Sequence, residues 1–196
     1  MILVWKGRWK AVSGGLLYFR RKMEGNMNTK KIVTTAVLLA LCIVFQSMKG
    51  ISVYLTGTAV NTFLIMAALL VGTGSSVFLA VITPLVAYLM GATPIMQMIP
   101  LMVPTVMAGN AVLSLCASAG RKKQLPFWLA AGAVLKAVVL WLLVWYVMLP
   151  FFGAGVPEPM QLVVKTTFSV TQFITAAVGG VIAYIVYGRV RNAVNR

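Results

Sequence analysis

The chain has 196 residues, 61% of them hydrophobic, with a mean hydropathy of +0.95. Soluble domains are about 45–50% apolar, so the composition excludes an ordinary soluble domain and points to an integral membrane protein. Its 17 Lys and Arg face only two acids, Glu24 and Glu158, with no His and no Asp. The cations sit at segment ends rather than in a stripe interleaved with aromatics, so the expected partner is the lipid bilayer and not nucleic acid.

Residues 1–26 differ from the rest. They carry Lys6, Arg8, Lys10 and Arg20-Arg21-Lys22, with apolar stretches too short to span a bilayer and no signal-peptide core or cleavage site. If the Glu24 codon is GAG, Met23-Glu24-Gly25 is encoded by AUGGAGGGN, a purine-rich ribosome-binding sequence just upstream of Met27. Translation is then expected to begin at Met27, with residues 1–26 a basic extension from a mis-assigned start. An N-terminal mass beginning at Met1 would overturn this. The alternative is a basic amphipathic arm on the cytoplasmic surface.

From Ile32 six apolar segments follow, at 31–48, 56–72, 75–91, 95–118, 126–149 and 162–187. A helical span needs about 20 residues. The expected fold is therefore an all-α bundle of six transmembrane helices, a single membrane domain over 27–196. Turn chemistry marks the links, among them Gly72-Thr-Gly-Ser-Ser76 and Gly91-Ala-Thr-Pro94. The division between segments two and three is the least distinct, because that link is five small residues. With the N-terminus inside, the inner ends hold Lys30, Lys31, Arg121, Lys122, Lys123, Arg189, Arg191 and Arg196, against Lys49 and Lys165 outside. The bias places both termini in the cytoplasm.

The first segment carries Ala36-Val-Leu-Leu-Ala40, small residues four apart on which another helix can close. Gln46, Ser47 and Lys49 mark its outer end. Pro84 in segment three, and Pro94, Pro100 and Pro104 around the start of segment four, predict helix irregularity. Asn110 is an amide at membrane depth, which must find a partner on another helix or a ligand. Cys42 and Cys116 lie inside apolar segments without CxxC spacing and read as small buried hydrophobes.

Lys136 is the most costly residue in the chain. A lysine at the bilayer centre costs about 2.5–3.5 kcal/mol, and no intramembrane acid is present to pair with it. Gly132 and Ala133 share its face, which predicts a tightly packed interior. Lys136 must be neutral, bonded to carbonyls or water, or matched to an anionic ligand or a partner's acid. Trp141 and Trp145 lie on a different face, as interfacial anchors do. In the last segment Lys165, Ser169, Gln172, Ala176, Gly179 and Ala183 fall on one helical face. The stripe is polar at its outer end and small at its inner end. Lys165, close to a helix end, is also placed to snorkel to the surface.

The absences restrict the chemistry. Without His, Asp or an intramembrane acid, metal hydrolysis, Ser-His catalysis, carboxylate acid/base work and a proton relay lack their parts. No GxxxxGK[ST] loop is present for ATP hydrolysis. No catalytic residue, metal site or cofactor is expected, and what remains is a small six-helix protein with an outward polar pocket.

From about Lys30 to Arg191 the chain resembles the substrate-binding S components of bacterial energy-coupling factor (ECF) vitamin transporters. The resemblance rests on six spans of this size, the Ala36-xxx-Ala40 patch, and the order Thr83-Pro84, Gly91-Ala-Thr-Pro94, Ile99-Pro100 and Gly109-Asn110. It rests also on Phe168-Ser-Val-Thr-Gln172-Phe-Ile-Thr-Ala176-Ala-Val-Gly179-Gly180. It implies a multi-pass protein of the bacterial cell membrane that binds a vitamin-like micronutrient from outside. Such a protein docks on a transmembrane T component carrying two ATPase subunits and is not itself an enzyme. By position, Ala36 and Ala40 take the docking role. The resemblance points to Asn110, Lys165, Ser169 and Gln172 as ligand contacts, with Lys136 beneath them, as contact or as structural support, and Tyr54 in the covering loop. Two lysines favour an anionic or carboxylated ligand. The competing readings are a stand-alone facilitator or channel and a non-transport membrane scaffold.

Overall fold

In lipid every backbone N–H and C=O must find a partner within the protein, and a helix supplies one segment by segment. The computed structural model describes residues 29–48, 52–92, 94–122, 124–153 and 155–194, which form helices and turns without a strand. Contacts divide the chain into two units, Met1–Thr34 and Thr35–Arg196. Only residues 29–34 of the first are described, as the start of a helix. The basic extension 1–26 lies outside the described residues, as do Lys49, Lys123 and Arg196.

Six apolar segments are present among the described residues. Five are helical stretches long and apolar enough to cross a membrane, and the sixth, Thr73–Leu89, is only slightly shorter. Helix α1, Thr29–Ser47, buries a narrow stripe, Leu38, Cys42 and Gln46 at steps of four, while Ala36 and Ala40 lie on its exposed side. Helix α2, Val53–Leu70, is capped by Ser52, whose hydroxyl accepts the Leu55 N–H. It is buried from Asn61 to Leu69 except for the half-buried Phe63, and packs against α3, α5 and α9.

The link between α2 and α3 (Thr73–Leu89) is tighter than expected. Val71 and Gly72 alone make it, Gly72 at φ 139°, a conformation that side chains disfavour. Thr73 to Ser76, read from sequence as part of the turn, form the first turn of α3. There Ser76 Oγ donates to the Leu64 carbonyl at 2.7 Å and ties the two helices. Pro84 sits inside α3 without ending it.

The fourth segment is broken where the prolines predict. Helix α4, Pro94–Met98, and helix α5, Met102–Gly120, flank a break containing Pro100. Pro104 falls in the first turn of α5, where no N–H is needed. Helix α6, Leu125–Leu143, meets α5 through glycines on both sides. A Cβ on Gly109 would come within 2.8 Å of Leu140, and one on Gly132 within 2.9 Å of Cys116. A π-helical turn, Val144–Met148, and helix α7, Leu149–Phe152, continue this segment. The last segment is two helices, α8 (Glu158–Thr167) and α9 (Val170–Val194), with Phe168 and Ser169 between them. The single stripe expected from Lys165 to Ala183 is therefore interrupted at Ser169. Its small half packs as expected, with Ala176, Gly179 and Ala183 buried.

Buried apolar side chains fall into two clusters. One gathers Leu64, Ile65, Leu79, Leu113, Ala133 and Ala176, and the other Met96, Met102, Val144, Met148, Val164 and Phe168. Along α5, along α6 and its π turn, and along α8–α9, the buried polar residues Asn110, Lys136 and Thr175 lie between members of the two clusters. A polar layer thus separates two apolar ones.

Candidate functional site

Asn61, Asn110 and Lys136 come from α2, α5 and α6 and converge in that layer. Lys136 is 2% exposed. Its Nζ donates to Asn61 Oδ1 at 2.6 Å and to Asn110 Oδ1 at 2.7 Å. Charge-assisted hydrogen bonds of this kind contribute about 1.5–3 kcal/mol each, enough to offset the cost of placing the lysine there. Of the options left open by the sequence, the structure shows bonding to carbonyls, and these carbonyls belong to side-chain amides.

The orientation of Asn61 has its own support. Its Nδ2 donates to Thr175 Oγ1 on α9 at 3.2 Å, and Thr175 in turn donates to the Gln172 carbonyl at 3.3 Å. With the amide nitrogen held by α9, the amide oxygen faces the lysine. Small residues permit this approach. A Cβ on Gly179 would stand 2.9 Å from the Thr58 carbonyl and 3.0 Å from Asn61 Cβ, and one on Gly57 would stand 3.1 Å from Thr175 Cγ2. The glycines bring α2 and α9 close enough for direct hydrogen bonds to link them, the second from Thr62 Oγ1 to the Gly179 carbonyl at 3.3 Å.

A cavity of about 70 Å³ opens beside this cluster, lined by Asn61, Asn110, Lys136 and Gln172 together with Gln46 and Thr83. Gln46 Oε1 and Thr83 Oγ1 are buried without a hydrogen-bond partner among the described residues, although buried polar atoms nearly always have one. Pro84, next to Thr83, also lines the space, in keeping with helix irregularity beside a cavity. The volume is several times the roughly 10–15 Å³ that one water requires.

Of the residues expected from sequence, the structure brings Asn110, Lys136 and Gln172 to this cavity. Lys165, Ser169 and Tyr54 do not line it. Lys165 Nζ stands 4.4 Å above the Trp145 ring, a cation–π contact. Ser169 Oγ donates to the Lys165 carbonyl within the α8–α9 break. Tyr54 is exposed in the first turn of α2. Sequence reasoning did not single out Asn61 or Thr175, and it read Gln46 only as a helix-end marker. Asn61 carried the same signal as Asn110, an amide deep in an apolar helix.

Among the described residues no group of three His, Cys, Asp or Glu side chains is placed to hold a metal. Cys42 and Cys116 are free and buried. Glu158, the only acid among the described residues, is exposed at the start of α8.

The family model described as "ECF transporter, substrate-specific component" matches residues 30–191. The chain belongs to that family. The match covers all six apolar segments and begins after residues 1–26. It makes this ECF component a multi-pass membrane protein and the substrate-specific subunit of a transporter. No curated protein and no solved structure matches the chain.

Proposed function

We propose that this ECF component captures a vitamin or related micronutrient from outside the bacterial cell membrane. It then delivers the ligand through a transmembrane T component driven by two ATPase subunits. The observation that carries the reading is the cavity, where a buried cation and two unpartnered polar atoms face one small space. Gln46 Oε1 and Thr83 Oγ1 gain hydrogen bonds when a ligand with matching polar groups enters. Lys136 brings positive charge to the wall and favours an anionic or carboxylated ligand.

In this reading Asn110, Lys136 and Gln172 contact the ligand, and Asn61 positions the Lys136 ammonium. Tyr54, Lys165 and Ser169 belong to the rim. Tyr54 adjoins Val53, which lines the cavity, and Ser169 precedes Gln172 by three residues. Both termini are cytoplasmic, as the charge bias indicates. Ala36 and Ala40, on the exposed side of α1, are the docking patch for the T component, and ATP hydrolysis belongs to the partner subunits.

Mass spectrometry of the protein purified in mild detergent tests this directly. A copurifying small carboxylate, lost from Lys136→Met, is the expected result. A cationic ligand would contradict the electrostatic part of the proposal, and a ligand fully retained by Lys136→Met would contradict the site.

A further inference from the structure

A second concavity lies away from the polar layer, where the link between α5 and α6 meets the end of α9. Its volume is about 670 Å³. Arg121 and Lys122 reach it from the link, and Arg189 and Arg191 from α9. All four are exposed, and the exposed Glu158 of α8 is not part of the lining. Tyr184 and Tyr187 line it as well, phenols of the kind enriched at membrane–water interfaces.

The apolar surface beside these cations decides what kind of anion fits. On α9, Val181, Ile185 and Arg189 follow at steps of four and share one face. Val181 is 60% exposed and Ile185 51%. Leu125 and Pro126, at the start of α6, add apolar groups to the lining. Two turns of lipid-facing aliphatic surface thus lead directly to a guanidinium. A soluble anion uses only the cations, whereas an amphiphile uses both parts.

We propose that this cleft binds the phosphate of an anionic membrane lipid, with the acyl chains lying along Val181 and Ile185. Each Lys or Arg near an anionic membrane surface is worth roughly a fivefold preference. Removing two of the four therefore lowers selective retention by about twenty-five-fold.

The test uses the full chain in detergent micelles, titrated with phosphatidylglycerol or with phosphatidylcholine, and native mass spectrometry to count bound lipid. Phosphatidylglycerol is expected to be retained better by at least about twenty-five-fold. The double variant Arg121→Gln, Arg189→Gln should lose about twenty-five-fold of that preference. Gly188→Glu provides an independent arm, because Gly188 lines the cleft and a Cβ there meets nothing within 4 Å. That variant places a negative charge in the cleft with every cation intact, and should lower the preference by about fivefold. It keeps the test decisive if the arginine variant fails to fold. Lys30→Gln, Lys31→Gln removes two cations that are not among the residues lining the cleft and should leave the preference unchanged. Equal retention of both lipids by the unmodified chain overturns the proposal. So does an equal loss in the Lys30/Lys31 control, or an undiminished preference in Gly188→Glu. Displacement of the lipid by inorganic phosphate at the same concentration would mean a soluble-anion site, and overturns it too.

Discussion

Asn61 and Lys136 stand 75 residues apart in sequence and meet at 2.6 Å in the middle of the bundle. The contact joins α2 to α6, while the other end of the same amide holds α9 through Thr175. Asn61→Leu is expected to destabilise the protein by about 2–3 kcal/mol, because it removes one acceptor from a buried ammonium. In a Lys136→Met background the same change should cost much less. Thermal melting of the four proteins gives the coupling, and a value near zero would show that the contact contributes nothing.

Thr83 separates stability from binding. Thr83→Val removes an unpartnered buried hydroxyl at nearly constant volume, so the ligand-free protein should be unchanged or more stable, by up to about 1–3 kcal/mol. Ligand affinity should fall by roughly tenfold if the hydroxyl bonds the ligand. Paired melting and binding measurements on one preparation check both signs. A clear loss of stability would mean that the hydroxyl already has a partner.

Neighbouring glycines on α9 should respond differently to one added methyl. At Gly179 the new Cβ meets the Thr58 carbonyl at 2.9 Å, but at Gly180 its nearest contact is Leu129 Cβ at 3.7 Å. Gly179→Ala is expected to cost about 1–3 kcal/mol through overpacking of α2 on α9. Gly180→Ala should be neutral or stabilising, since alanine favours the helix by about 1 kcal/mol. Detergent melting curves of the two variants make the comparison.

Docking is separable from capture. Ala36→Trp and Ala40→Trp place bulk on the exposed side of α1, away from the Leu38–Cys42–Gln46 stripe. Uptake by cells should be lost, while ligand binding by the purified subunit stays within about twofold, as for surface changes of ±0.5 kcal/mol. Unchanged uptake would favour a stand-alone facilitator.

The sequence carried the six segments, because each must satisfy its own backbone in lipid and an apolar run of fixed length is its signature. It also carried the packed face of Lys136, since Gly132 and Ala133 precede it by four and three residues. The break at Pro100 was legible for the same local reason. The partners of Lys136 were not. Asn61 is distant in sequence, and no periodicity says which of several polar residues will share a level once helices stack. The break between α8 and α9 was hidden as well. Phe168 and Ser169 carry no proline or glycine, and helical spacing runs through them without a gap. That continuity made Lys165 and Gln172 look like neighbours on one face.

The π turn Val144–Met148 has a consequence for how the α6 segment tolerates change in length. Residues five apart align through such a turn, and Trp141 accordingly packs edge-on against Tyr146, with ring centroids 5.8 Å apart, as well as against Trp145. The turn holds one residue more than a regular helix would use. Deleting a single residue within it can be absorbed by closing the turn into an α-helix, leaving Lys136 in place. The same deletion between Gly132 and Lys136 would rotate the lysine about 100° around the helix axis, away from both asparagines. The segment thus has one point of slack, and it lies clear of the ammonium that the bundle is built to hold.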